Sequence, residues 1–246
     1  MKNIFYISLV SLFALNIISC AKDEEHSSTS TTTSDSTTSD NTTSDNTPEL
    51  FVTWGDSGTI LTSSDNGTTW DNRTTGTSNH LYGVSYGQST FVGVGASGTI
   101  ITSSDGTTWD NRTSGTSNLL YGVNAVTYGN NTFVTVGDSG TILTSNDSIS
   151  WTSRTHTSND LKGVNYGKST FVVVGESGTI LTSFDGASWT SRTSGTSNDL
   201  WGVAFANNTF VVVGTSGTIL TSSDATTWDE RTSGTTNTLW GVTYSQ

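Results

Sequence analysis

Apolar side chains fall into three regimes along this chain. Ile4 to Ile18 is an apolar run interrupted only by Tyr6, Ser8, Ser11 and Asn16. Ser27 to Thr47 is the reverse: sixteen Ser or Thr, three Asp and two Asn, with no hydrophobic residue at all. From Phe51 to the end, short runs rich in Val, Ile, Leu, Thr and aromatics alternate with clusters of Gly, Asn and Ser. Such runs bounded by turn residues read as β-strands. In the best-formed unit four are predicted: Leu200 to Phe205 (strand A), Thr209 to Val213 (B), Thr218 to Thr221 (C) and Trp228 to Thr232 (D).

This unit recurs. Gly-x-Ser-Gly-Thr-Ile begins at Gly55, Gly95, Gly137, Gly175 and Gly214. Trp70, Trp109, Trp151, Trp189 and Trp228 follow at spacings of 39, 42, 38 and 39. A period near 40 with β composition is the signature of propeller blades, since each unit hides its sheet faces against its neighbours. The first unit starts at Phe51 in strand B, and the chain ends on an A-type segment, Leu239-Trp240-Gly241-Val242-Thr243-Tyr244. The predicted fold is therefore all-β: a five-bladed propeller of four-stranded blades over residues 51–246, closed by the C-terminal strand.

Composition narrows the function. The 246 residues carry 9 Lys+Arg against 21 Asp+Glu, a net charge of −12, the wrong sign for a nucleic-acid partner. One Cys and three His argue against a disulfide framework or a Cys-cluster zinc site, and no metal or cofactor is implied. The charge is uneven. Residues 21–50 hold a net −6, and residues 51–246, with fourteen acids and seven bases, hold −7. The Ser/Thr-rich stretch cannot bury enough apolar area to offset chain entropy, so residues 20–50 read as a disordered linker extended by its acids.

The N-terminal run is shorter than the roughly 20 residues of a spanning helix and follows a basic Met1-Lys2-Asn3, so residues 1–19 read as a secretory signal. Ile17-Ile18-Ser19-Cys20 resembles the bacterial lipobox, which implies cleavage before Cys20, its lipidation and a membrane anchor. A Lys followed by acids, Lys22-Asp23-Glu24-Glu25, is similar to the surface-export signal of Bacteroidota lipoproteins. The expected address is the bacterial outer membrane, on the cell surface.

The segment Ser63-Ser64-Asp65-Asn66-Gly67-Thr68-Thr69-Trp70 matches the Asp-box, S-x-D-x-G-x-T-W, and the four later copies are one residue shorter. The repeats thus resemble the Asp-box (BNR) propeller superfamily. That resemblance implies that Asp65, Asp105, Asp147, Asp185 and Asp224 are structural rather than ligands. Ser148 and Ala225 replace the turn Gly in two copies, so those turns should differ in detail. Sialidases of this superfamily have six blades, an Arg cluster and a Tyr–Glu pair. Here one Arg recurs after each Trp (Arg73, Arg112, Arg154, Arg192, Arg231), a repeated outer-strand feature rather than a converging cluster. Photosystem II assembly factors, which are non-enzymatic, carry similar repeats, and five-bladed lectins share the blade number.

In an A–B–C–D meander the B–C and D–A connections share one face, and the blades differ there. The variable residue of Gly-x-Ser-Gly is Asp56, Ala96, Asp138, Glu176 or Thr215. The second residue of strand A is Tyr82, Lys162, Trp201 or Trp240. The remaining blade has three extra residues. The preferred alignment, from Val123, puts them with Tyr121 in the D–A loop; starting from Leu120 puts Tyr121 in the ring and the insertion inside the strand. Tyr82, Tyr121, Lys162, Trp201, Trp240, Asp56, Asp138 and Glu176 are therefore candidate ligand-binding residues, with inter-blade packing as the alternative role. The function expected is a non-enzymatic binding module for a glycan or a protein. The alternative is a scaffold or assembly factor for membrane complexes, and a glycoside hydrolase ranks last, because its two carboxylates must converge on one pocket.

Overall fold

In the computed structural model, residues 49–120, 125–154 and 156–245 are described. Nineteen strands form five antiparallel sheets in chain order. The first holds β1 (Phe51–Trp54), β2 (Ile60–Ser63) and β3 (Asp71–Arg73). The second holds β4 (Leu81–Gly87), β5 (Thr90–Gly95), β6 (Ile100–Ser103) and β7 (Asp110–Arg112). The third comprises β8 (Val126–Gly129), β9 (Thr132–Val136), β10 (Ile142–Ser145) and β11 (Thr152–Ser153). The fourth comprises β12 (Leu161–Gly167), β13 (Thr170–Gly175), β14 (Ile180–Ser183) and β15 (Thr190–Arg192), and the fifth β16 (Leu200–Ala206), β17 (Thr209–Gly214), β18 (Ile219–Ser222) and β19 (Asp229–Arg231). The strand boundaries depart from the predicted ones by a residue or so.

The core lies between the blades. Val172, Val174 and Ile180 of blade four are packed on Leu200, Val203 and Phe210 of blade five. Phe171 and Val173, on the other face of the same strand, meet Val134, Val136 and Ile142 of blade three. Both faces of a B strand are thus buried, which explains its unbroken apolar run where a solvent-exposed sheet would alternate. The inner strands approach closely enough that a Cβ on Gly129 would sit 2.1 Å from the Tyr166 ring, and one on Gly167 2.1 Å from the Phe205 ring.

Each A–B hairpin turns through two residues of positive φ (Gln88 and Ser89, Asn130 and Asn131, Lys168 and Ser169, Asn207 and Asn208), the twist-matched two-residue connection. The Asp-box turns are built as their chemistry demands. In blade four, Asp185 Oδ1 accepts from the backbone N–H groups of Ala187 and Ser188 at 2.8 Å each and from Ser183 Oγ, while Trp189 Nε1 donates to Gly186 O. Where Gly is missing, Ser148 and Ala225 still take φ near +58°. Trp151 Nε1 then reaches Ser148 O only at 3.3 Å, and Trp228 Nε1 has no partner. These turns differ as expected. The recurring Arg is structural too: each Nε donates to a Thr of strand C, Thr62, Thr102, Thr144, Thr182 and Thr221 in turn.

Backbone N–H donors hold the box carboxylates below the ordinary range: Asp65, Asp147 and Asp185 at about 2, with Asp105 and Asp224 also lowered. A carboxylate whose pKa falls on folding stabilises the fold fully above its unfolded pKa of 3.8 and loses that contribution as pH drops through the folded value. Melting temperature is therefore expected to fall steeply between about pH 4 and pH 2. Asp185→Asn and Asp105→Asn should flatten that slope when Tm is followed across the window.

Closure differs from expectation. The first sheet has three strands, and the C-terminal segment makes no ladder to β1. It nevertheless sits where an inner strand belongs. Leu239 N–H donates to Gly214 O, as Leu81 does to Gly55 O and Leu161 to Gly137 O, and Gly241 lies against Gly202 of β16. Hydrogen bonds therefore do not close the ring, although the fifth inner-strand position is filled. Truncation after Thr236 removes the Leu239 bond and uncovers β16. It should cost about 2 kcal/mol by hydrogen-bond and burial magnitudes, read as a Tm lowered by roughly 4–8 °C.

Candidate functional site

The B–C connections are one-turn 3₁₀ segments in which Ser57, Ser97, Ser139, Ser177 and Ser216 all have φ between 53° and 56°. This kink turns the variable residue toward the D–A loop. In blades two to five its backbone N–H donates at 2.9 Å to the carbonyl of the residue just before strand A (His80, Leu119, Asp160 or Asp199). The two connections thus form one face, as the meander requires.

Strand A carries the candidate positions on a β-bulge. The pairing of β4 with β5 skips Tyr82, between Leu81 and Gly83, and that of β12 skips Lys162, between Leu161 and Gly163. In β16 the extra residue is Trp201. A bulge frees its residue from the ladder and re-aims the side chain. The same site resolves the extra residues of blade three against the preferred alignment. Leu120 N–H donates to Gly95 O, as Leu81 does to Gly55 O, and Val136 N–H donates to Ala125 O, so Ala125 stands where Gly83 stands. The extra residues therefore fall between Leu120 and Ala125, not before Leu120 in the D–A loop. Tyr121 belongs to residues 121–124, outside the described residues, and so does Cys20.

The fold brings four of the candidates together across three blades. Lys162, whose side chain is 2% exposed, places Nζ 3.0 Å from Asp160 Oδ2 and 3.2 Å from Glu176 Oε1. The same ammonium lies 5.4 Å from the centroid of Trp201. Asp160 Oδ1 accepts from the N–H of Ser139 at 2.8 Å, which sets its carboxylate beside that of Asp138. Burial, then the charge of Asp160, push Asp138 upward, with the Lys162 charge opposing. For Asp160 burial acts in the same direction, but the Ser139 N–H and the Lys162 ammonium outweigh it and its pKa is lowered. Two buried polar atoms here, Asp138 Oδ1 and Trp201 Nε1, have no hydrogen-bond partner.

The other candidates are not part of this cluster. Asp56 Oδ1 meets His80 Nδ1 at 2.8 Å, and His80 stacks on Tyr82 at 6.4 Å. Trp240, 58% exposed, packs edge-on against Trp201 at 4.7 Å. Sequence reasoning missed Asp160, His80 and Asp199, whose carboxylate accepts from Ser177 N–H at 2.9 Å. The signal was available: the middle residue of the recurring Asn-x-Leu varies as His80, Leu119, Asp160, Asp199 and Thr238. Among the described residues no group of three or more His, Cys, Asp or Glu is placed to hold a metal ion. An open cleft of about 490 Å³ beside Ser97, Asn111 and Arg112 lies on the same face.

No protein-family model and no curated protein matches the chain. Solved structures do. YCF48 bound to a D1 peptide aligns with a TM-score of 0.58 at 21% identity, over 76% of this chain and 64% of that one. YCF48 from Cyanidioschyzon merolae aligns at 0.55 and 21%, over 74% and 68%. The GH74 enzyme of Niastella koreensis aligns at 0.51 and 19%, over 73% of this chain but 29% of its own. The chain thus spans just under two thirds of the first of these, and at such identities the likeness establishes the propeller fold alone.

Proposed function

We propose that this protein is a non-enzymatic binding propeller that holds a segment of a protein partner on the B–C/D–A face, in the manner of a scaffold. The observation that carries this reading is the Asp138–Asp160–Lys162–Glu176–Trp201 cluster. Three blades contribute to it, and its charges are satisfied by one another rather than poised over an open pocket. Lys162 pairs with the Asp160 and Glu176 carboxylates, which a hydrolase would need free. Such an arrangement fixes the relative positions of the blades and presents Tyr82, Trp201 and Trp240 as a rigid polar–aromatic surface. The YCF48 structure with a bound D1 peptide supports a peptide ligand for this fold. A photo-crosslinking residue at Tyr82 should capture a protein partner in cells, and the same residue at Ser104 on the opposite face should not. Equal capture from both positions would overturn the reading, and strong signals on a glycan array would replace the protein ligand by a sugar, for which the Trp201–Trp240 pair is also suited.

The address is part of the same proposal: lipidation at Cys20 and display at the bacterial outer surface. Cys20→Ala should abolish incorporation of labelled palmitate, and protease shaving of intact cells should remove the native protein. Survival under shaving would place it on the periplasmic side.

A further inference from the structure

Two exposed positions in the Asp-box turns break the repeat in a way the fold does not require. The residue between the Ser and the Asp of the box is Ser64, Ser104, Asn146 or Ser223 in four blades but Phe184 in blade four, where it is 69% exposed. The position after the turn residue is Thr107, Ala187 or Thr226 in the other short boxes but Ile149 in blade three, 56% exposed. The two blades are neighbours: the Asn130 amide of blade three donates to Phe184 O. Exposed apolar side chains this large, on turns of neighbouring blades, are the kind of surface that a contact outside the domain would bury. Trp70, Tyr86 and Tyr244 belong to the same end of the blades. Five of the six exposed large hydrophobic residues among those described are thus on the Asp-box side, with Trp240 alone on the other.

The chain enters the domain on this side as well. Leu50, immediately before β1, lies against Gly106 in the Asp-box turn of blade two. The sequence between Leu50 and Cys20 is 29 residues long, a coil reach of about 30 Å. Resting on the reading of Cys20 as the lipidated residue, we propose that the Asp-box face is the membrane-facing side of the anchored protein, with Phe184 and Ile149 seated in the interfacial zone of the bilayer. The five box carboxylates on this face are engaged by backbone N–H groups, and the Lys168 ammonium already donates to Ser223 O. The net −7 on the domain disfavours acidic headgroups, so the matching surface is zwitterionic. The opposite face, with the Lys162 cluster, then points away from the membrane toward its partner.

The test uses the full lipidated chain on phosphatidylcholine–phosphatidylethanolamine vesicles with brominated acyl chains. Phe184→Trp adds one reporter on the proposed contact face, and Ser197→Trp adds one to an exposed D–A loop on the other. Relative to the native chain, whose eight Trp include Trp70 on the proposed contact face, brominated vesicles are expected to quench a larger fraction of the emission of Phe184→Trp and no larger a fraction of that of Ser197→Trp. Vesicle-bound protein in which the two reporters are quenched equally, or not at all, overturns the orientation. Failure of the chain to float with vesicles removes the anchor and this inference together, leaving the partner-binding face unaffected. Concentration-dependent shielding of Phe184→Trp from iodide without lipid would assign the patch to a second copy instead, again overturning the proposal.

Discussion

Gly140→Ala is expected to destabilise the propeller by about 3–4 kcal/mol, combining left-handed backbone strain with a steric clash. The residue has φ +67°, and a Cβ there would fall 1.7 Å from the carbonyl oxygen of Thr157, a backbone atom that cannot rotate away. The same contact, near 2 Å, recurs at Gly58, Gly98, Gly178 and Gly217, because every B–C turn is pressed against the D–A loop that follows it. Gly115→Ala is the matched control. Its φ is +74°, yet nothing lies within 4 Å of the added carbon, so it should show only the backbone part, about 1 kcal/mol. Thermal melts of the two variants separate the terms. At roughly 2–4 °C per kcal/mol for a domain of this size, Gly140→Ala should lose about 10 °C and Gly115→Ala no more than a few. Equal shifts would mean that the turn and loop are not packed as described.

The second large effect is expected at Lys162. Replacing it with Met keeps most of the stem's packing but leaves the carboxylates of Asp160 and Glu176 facing a vanished charge, while Asp138 loses the ammonium that opposes its upward shift. Removing one member of a buried pair costs about 3–5 kcal/mol, and the partial exposure of both acids (30% and 40%) puts this site at the lower end. The loss should shrink as pH is lowered, since protonating the acids removes their mutual repulsion. Lys162→Met with Asp160→Asn and Glu176→Gln should recover much of the Tm. A single variant as stable as the native protein would show that the cluster does not hold blades three, four and five together.

Strand positions, blade number and the placement of the Asp-box turns were legible in the chain because each is a local, repeated demand. Burial on both faces selects Val and Ile, a left-handed turn selects Gly, and an Asp that accepts backbone N–H groups must precede them by a fixed spacing. Five copies of the same demands leave little ambiguity. The candidate site was legible only in part. Lys162 and Trp201 stood out because they vary at a repeated position, yet their neighbour Asp160 sits one residue before a strand, in a loop where variation looked unremarkable.

What only the tertiary structure decided are the relations between blades. That Asp138, Asp160, Lys162 and Glu176 form one network follows from the angle at which blades three and four meet, which no single repeat encodes. The three extra residues of blade three follow Leu120 rather than precede it, because Leu120 keeps the anchoring hydrogen bond to Gly95 O, a contact 25 residues back in the chain. The C-terminal segment, which has an inner strand's sequence in every respect, takes that strand's place against β16 but forms no ladder to β1. The sequence by itself determined the unit and how many times it is repeated, because those are written in local chemistry. Its assembly into a site and a ring depended on packing between units, where the geometry of each interface, and not the identity of any one residue, is what decides.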